Sequence, residues 1–212
     1  MEFRYKRTVA PTTTPISLDE AKDQLREVDS DYDSEITAMI SAATEYLDGP
    51  FGVLGRCIVS QTWTVSTTFP QAAGTNGYIP IRIGYLQSVT SIAYVDSDGN
   101  AATVDMATVT VITGEDGLLY LKAGASWPET DADTIDPVTI TVVVGYPDAG
   151  GSPAEDGLRA NVPDSLRHAM KLHVSHMFEH RDVVGFGASV VEIPKTFDTL
   201  IAPYRLTKHG EA

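Results

Sequence analysis

The sequence predicts an α+β fold: a small helical bundle formed by the N- and C-terminal segments, with an inserted antiparallel β domain, a sandwich or barrel. Three observations predict it. Apolar residues recur at helical spacing near both ends of the chain. Through the middle they alternate with polar residues, as half-buried strands require. Neither terminal segment can bury its apolar stripe alone, so the two must cover one another. The expected divisions are a flexible arm over 1–15, the bundle over 16–55 and 158–206, the β domain with its linker over 56–157, and a flexible tail over 207–212.

The elements follow in order. Met1 to Arg7 carries Arg4, Lys6 and Arg7, and the turn-prone run Thr8 to Pro15 follows it. No apolar signal core is present, so the segment reads as an arm rather than an export signal. Ser17 and Glu20 form a capping box, in which each side chain bonds the other's backbone amide at a helix start. Leu18, Ala21 and Leu25 continue it at helical spacing. A second helix is expected from Asp33 to Asp48, with Ile36, Met39, Ile40, Ala43 and Leu47 on one stripe, ended by Gly49-Pro50.

From Cys57 to Gly145 the period becomes two. Val59, Trp63 and Val65 alternate with polar residues, as do Ile79, Ile81 and Ile83, and then Val138, Ile140, Val142 and Val144. Asp96 to Asn100 and Glu115 to Gly117 are turn clusters between such runs. Pro147 to Gly157 reads as a linker. Pro163 then opens a helix carrying Leu166, Ala169, Met170, Val174, Met177 and Phe178 on one broad face, expected to reach Arg181. After a loop over 182–192, a short helix from Lys195 to Leu200 leads into Tyr204, Arg205 and Leu206.

Bulk properties narrow the function. The chain has 212 residues, 42% of them hydrophobic, enough for a core without disulfide or metal staples. A formal net charge of −14 argues against gripping phosphates, which takes clustered Lys and Arg, but not against DNA passing without adhering. Cys57 is the single cysteine, so no internal disulfide can form. No run approaches the roughly 18 apolar residues of a membrane span, and no membrane partner is expected.

Several constellations could carry chemistry. His176, Glu179 and His180 match H-x-x-E-H, the inverted zinc-protease pattern. At about 100° per residue, His173, His176 and His180 fall in one sector of a helix, so a metal-dependent hydrolase is the rival reading. Against it, positions i, i+3 and i+7 spread along the axis and do not easily reach one ion. The packing alternative places His173 and His180 at the border of a buried face and His176 at a subunit contact. Cys57 sits among apolar neighbours, as a buried side chain would. The run Glu129, Asp131, Asp133 and Asp136 lacks calcium-loop spacing and glycine, which favours a solvated loop. Trp63, Tyr120 and Trp127 could form a sugar-binding platform, a carbohydrate-binding or decoration module, although aromatics at strand spacing are more often core. No P-loop, Rossmann or nucleophile-elbow signature is present, and no cofactor or catalytic residue is expected.

The order of the motifs resembles one family. Pro15-Ile16-Ser17-Leu18-Asp19-Glu20-Ala21-Lys22 with a second helix ending near Tyr46-Leu47 looks like the opening of phage head–tail connector (adaptor) proteins. Gln61-Thr62-Trp63, Leu86 to Ile92 and Tyr94-Val95-Asp96 resemble the long form of that family, with a β insertion. Ser126-Trp127-Pro128, Gly145-Tyr146, Val162 to Leu166, His176 to Arg181 and Ala202 to Arg205 continue it, so the likeness runs from Pro15 to Leu206. It implies a ring, commonly of twelve copies, in the neck of a virion or gene transfer agent, assembled in the host cytoplasm. Its partners would be further copies, the portal protein, bound through the C-terminal region, and a tail terminator or stopper protein, with DNA crossing the lumen. On this reading the apolar loop residues Val183, Val184, Gly185 and Phe186, and the segment Tyr204, Arg205, Leu206 and Lys208, are the expected partner-binding surfaces.

Overall fold

The computed structural model describes residues 2–70, 77–148, 159, 161–180 and 195–206, and they form an α+β fold. The chain divides into two compact units. One, here the helical unit, comprises Thr13–Val59 and Asp148–Ala212. The other, the sheet unit, comprises Met1–Thr12 and Ser60–Pro147.

In the helical unit the capping box forms as the residues predict. The Ser17 hydroxyl oxygen accepts the Glu20 amide at 3.1 Å, and Glu20 Oε2 accepts the Ser17 amide at 2.9 Å. This starts α1, Leu18–Leu25, and a left-handed Arg26 ends it by returning amides to Asp23 and Lys22. Helix α2, Asp33–Leu47, buries Ile36, Ile40, Ala43 and Leu47, the stripe that periodicity marks out. Helix α3, Asp164–Glu179, buries Leu166, Ala169, Met170 and Val174, and stops two residues short of the expected Arg181. Helix α4, Lys195–Ile201, buries Phe197 and Ile201. Helix α3 packs against the other three, so each stripe finds a partner within the unit. Full burial of each large aliphatic side chain is worth about 1.5–3 kcal/mol, which makes this stripe-to-stripe contact the main stabilisation. An ion pair between Arg167 Nη2 and Glu20 Oε1, at 2.5 Å, joins α3 to α1.

The sheet unit contains eight strands among the described residues: β1 Arg4–Val9, β2 Gln61–Thr67, β3 Ile79–Ile81, β4 Leu86–Val95, β5 Ala101–Thr103, β6 Val109–Ile112, β7 Gly117–Leu121 and β8 Val138–Val144. All pairings are antiparallel and build two sheets, ordered β1-β2-β8-β4-β5 and β3-β7-β6. One face of each central strand is dry. Trp63, Val65, Val138, Ile140, Val142 and Val144 are buried in the large sheet, and Ile79, Ile81, Leu119 and Leu121 in the small one. The sheets meet closely at Gly117, where an added Cβ would lie 2.7 Å from the Leu86 Cβ.

The register of the large sheet assigns its other face. Lys6, Thr64, Thr141 and Ser91 are successive cross-strand neighbours there, and Arg4, Ser66, Thr139, Ala93 and Thr103 form the next row. This face is small and hydroxyl-rich, with charge only at the β1 end.

Two expectations are corrected. Arg4–Val9, read as part of a free arm, is the edge strand β1, held by β2 and by bonds from the Thr67 and Thr64 hydroxyls to the Glu2 and Lys6 carbonyls at 2.8 and 3.3 Å. As an edge strand with mostly exposed side chains it needs no alternating apolar pattern, so none marks it. Val59, read as the start of the first central strand, is buried in the helical unit with Cys57 and Ile58, and pairing begins only at Gln61. There the Ile58 amide donates to Asp48 Oδ1 at 2.7 Å.

Candidate functional site

Of the expected partner-binding residues, the described part holds Tyr204, Arg205 and Leu206, while Val183, Val184, Gly185, Phe186 and Lys208 lie outside the described residues. The described three are positioned by α4. A seven-residue helix is too short to persist on its own, and Phe197 and Ile201 anchor it. The Phe197 ring lies 5.2 Å from the His173 ring on α3 and 6.5 Å from the Tyr46 ring on α2. A 3₁₀ turn over Ala202–Tyr204, with Pro203 inside it, redirects the chain. The Leu206 amide then donates to the Leu54 carbonyl at 2.8 Å, and Arg205 Nη2 reaches Asp198 Oδ1 at 2.9 Å. Gly55, at φ 66°, lies directly under Leu206, where a Cβ would be 3.2 Å from the Leu206 carbonyl oxygen. The chain is thus pinned through Leu206, with Tyr204 and Leu206 half-buried and Arg205 exposed.

The histidines do not converge on one point. His173 is stacked on Tyr46 at 5.3 Å, and its Nδ1 is buried without a hydrogen-bond partner. Burial, and then the neighbouring His176, hold its imidazole below the ordinary pKa. His176 and His180 have ring centroids 4.7 Å apart, and His180 Nδ1 lies 3.1 Å from the His176 carbonyl oxygen, a bond that closes the helix end. Among the described residues no three His, Cys, Asp or Glu side chains are grouped to hold a metal ion. His173 serves as a wall of the Phe197 pocket.

Both tryptophans of the sheet unit are engaged in packing, and Tyr120, on β7, is half-buried. Trp63 is buried, and its Nε1 donates to Gln61 Oε1 at 2.9 Å. Trp127 stacks on Phe69 at 4.8 Å and donates to the Gly77 carbonyl at 3.0 Å, while Phe69 packs edge-on to Tyr94. In the acidic loop, Asp131 accepts from Asp133 N and Thr134 Oγ1 at 3.0 and 2.6 Å, a local turn. Its carboxyl is held below the ordinary value by the Thr134 and Asp133 bonds.

Two features escaped sequence reasoning. Val28 and Phe51 of the helical unit are 90% and 76% exposed. Their neighbours, Asp29 and Gly52, are turn residues, so no periodicity marks either as a surface apolar group. The Tyr46–His173–Phe197 cluster was also hidden, because its members come from three separate helices.

No helix among the described residues is long and apolar enough to cross a membrane. No protein-family model matches the sequence, and a comparison with curated proteins finds no match. Solved structures do match over the whole chain. A chain in the neck of an empty gene transfer agent (GTA) particle, computed with C6 symmetry, is 20% identical with a TM-score of 0.69, covering 97% of this chain and 96% of that one. A chain in the virion of a native GTA particle is 18% identical with a TM-score of 0.69, covering 96% of each. A third, in the neck of a native GTA particle computed with C12 symmetry, is 20% identical with a TM-score of 0.61, covering 98% and 97%. The chain thus has the fold of chains found in gene transfer agent particles.

Proposed function

We propose that this protein is a structural head–tail adaptor of a tailed phage or phage-like particle. It forms a ring in the neck, commonly of twelve copies, that binds the portal and offers a platform to a tail terminator or stopper while DNA passes through. It works by docking and catalyses nothing. The observation that carries the reading is the end-to-end likeness to chains of the GTA neck, with both units covered in each direction. The matching structures were computed with C6 and C12 symmetry, which supports a ring. The net charge of −14 suits a lumen that must not hold DNA, because carboxylates repel phosphates.

The pinned C-terminal segment is the proposed portal contact. The Leu206 amide is bonded to the Leu54 carbonyl, so the segment is anchored on the helical unit up to that residue. Val183 to Phe186 is the second proposed contact. Electron microscopy of particles carrying a tagged copy tests the assignment directly. Label at the neck ring supports it, and label on the tail or capsid shell rejects it. Deleting residues 203–212 should abolish portal binding while the subunit stays folded; unchanged binding would reject the C-terminal assignment.

A further inference from the structure

The two free edges of the large sheet carry opposite charge. At one edge lies β1, with Arg4, Lys6 and Arg7 all exposed. Arg4 is partly neutralised by Asp136 at 2.8 Å, whereas Lys6 and Arg7 make no ion pair with any described residue. At the other edge lies β5, Ala101–Thr103, whose own residues are small and uncharged. Acids bracket it: Asp96 and Asp98 in the turn before it, Asp105 just after. Backbone amides hold the Asp96 and Asp105 carboxylates in place. Asp96 Oδ1 accepts the Asp98 and Asn100 amides at 3.0 and 2.8 Å, and Asp105 Oδ1 accepts the Ala107 amide at 2.9 Å.

We infer that the β1 edge of one copy docks on the β5 edge of the next, as the joint between neighbouring subunits. This rests on the ring reading above and names the surface that would close the ring. Charge selects the partner. Two β1 edges repel, and two β5 edges repel, so a two-fold dimer through like edges is disfavoured. Only unlike edges attract, and that contact is head-to-tail, the type that closes into a ring when the rotation allows. Because every pairing in the sheet is antiparallel, β1 and β5 run in the same direction. A joint between copies related by a small rotation is therefore parallel, with evenly spaced, slanted bonds. It is also short, since β5 has three residues. Exposed charges, rather than a long ladder, then decide the pairing, and the contact weakens as salt rises.

The test uses full-length chains. Lys6→Glu with Arg7→Glu makes both edges acidic. Asp98→Lys with Asp105→Lys makes both edges basic, and Asp98→Lys alone substitutes if losing the Asp105 cap costs the fold. Circular dichroism melts establish that each variant is folded, and native mass spectrometry and electron microscopy count the rings. The wild type should form rings, and each variant alone should lose them. An equal mixture of the two variants should restore rings, with even copy numbers only, because acidic and basic chains must alternate. Rings from either variant alone, or no rescue on mixing, overturn the edge assignment and leave the ring reading intact. A wild-type chain that stays monomeric, both at the highest attainable concentration and inside particles, overturns the ring reading and this joint with it.

Discussion

Replacing Phe197 by alanine isolates what positions the C-terminal segment. The side chain is 1% exposed and packs against both rings of the stacked His173–Tyr46 pair. A buried Phe→Ala change costs about 3–5 kcal/mol, the spread reflecting how far the site can collapse. Collapse is restricted here, because the pocket walls are aromatic rings borne on two long helices. Helix α4 has only Ile201 as a second buried anchor and cannot be helical unsupported. The loss should therefore appear first as local release of residues 195–206, with α1 to α3 still packed. Hydrogen exchange read by mass spectrometry is the assay. Protection of amides in α4, and of the Leu206 amide bonded to Leu54, should fall to near the unfolded level while α3 keeps its own. The melting temperature should drop by about 2–4 °C for each kcal/mol that reaches global unfolding. Native-like protection across 195–206 in Phe197→Ala would refute the idea that this ring holds the segment.

Three further expectations concern the capping box, the buried imidazole and the close approach of the sheets. Glu20→Ala removes half of the capping box and the partner of Arg167, together worth about 1–2 kcal/mol; a double-mutant cycle with Arg167→Ala should show favourable coupling, and zero coupling would dismiss the ion pair. His173 has its folded pKa lowered, so the unfolded chain takes up the proton first. Its contribution to stability is whole above the unperturbed value of about 6.5 and is lost as pH falls from there through the folded pKa; denaturation midpoints followed across that window should show the loss, and His173→Gln should flatten it. Gly117→Ala places a methyl 2.7 Å from the Leu86 Cβ and 3.1 Å from the Ile81 carbonyl oxygen. The overpacking should cost about 1–3 kcal/mol, and an equally stable variant would show that the sheets can part.

What could be read from the sequence was whatever a single periodic segment encodes. Ser17 and Glu20 announce α1 because the cap is local, and Ile36, Ile40, Ala43 and Leu47 announce α2 because one helix face must be dry. The alternation in β2 and β8 announces central strands, whose seven residues alternate buried and half-buried throughout. Strand β1 escaped because its pairing energy lies in backbone bonds to β2 and leaves no pattern in side chains that remain wet. Of the candidate site, Tyr204 to Leu206 were marked by composition, but the device that fixes them is not local. It needs Leu54, Tyr46 and His173, which come together only after three helices pack.

The path of the backbone between the units has a practical consequence. A cassette inserted at one point of a host has two seams, yet this chain passes between units at three places: Thr12 to Thr13, Val59 to Ser60 and Pro147 to Asp148. Residues 60–147 are therefore not a liftable module. Cut out, they would present β2 with a naked flank where residues 4–9 had been, and such a flank recruits foreign strands. Grafting the sheet unit onto another scaffold requires carrying its opening strand along, or supplying a substitute in trans.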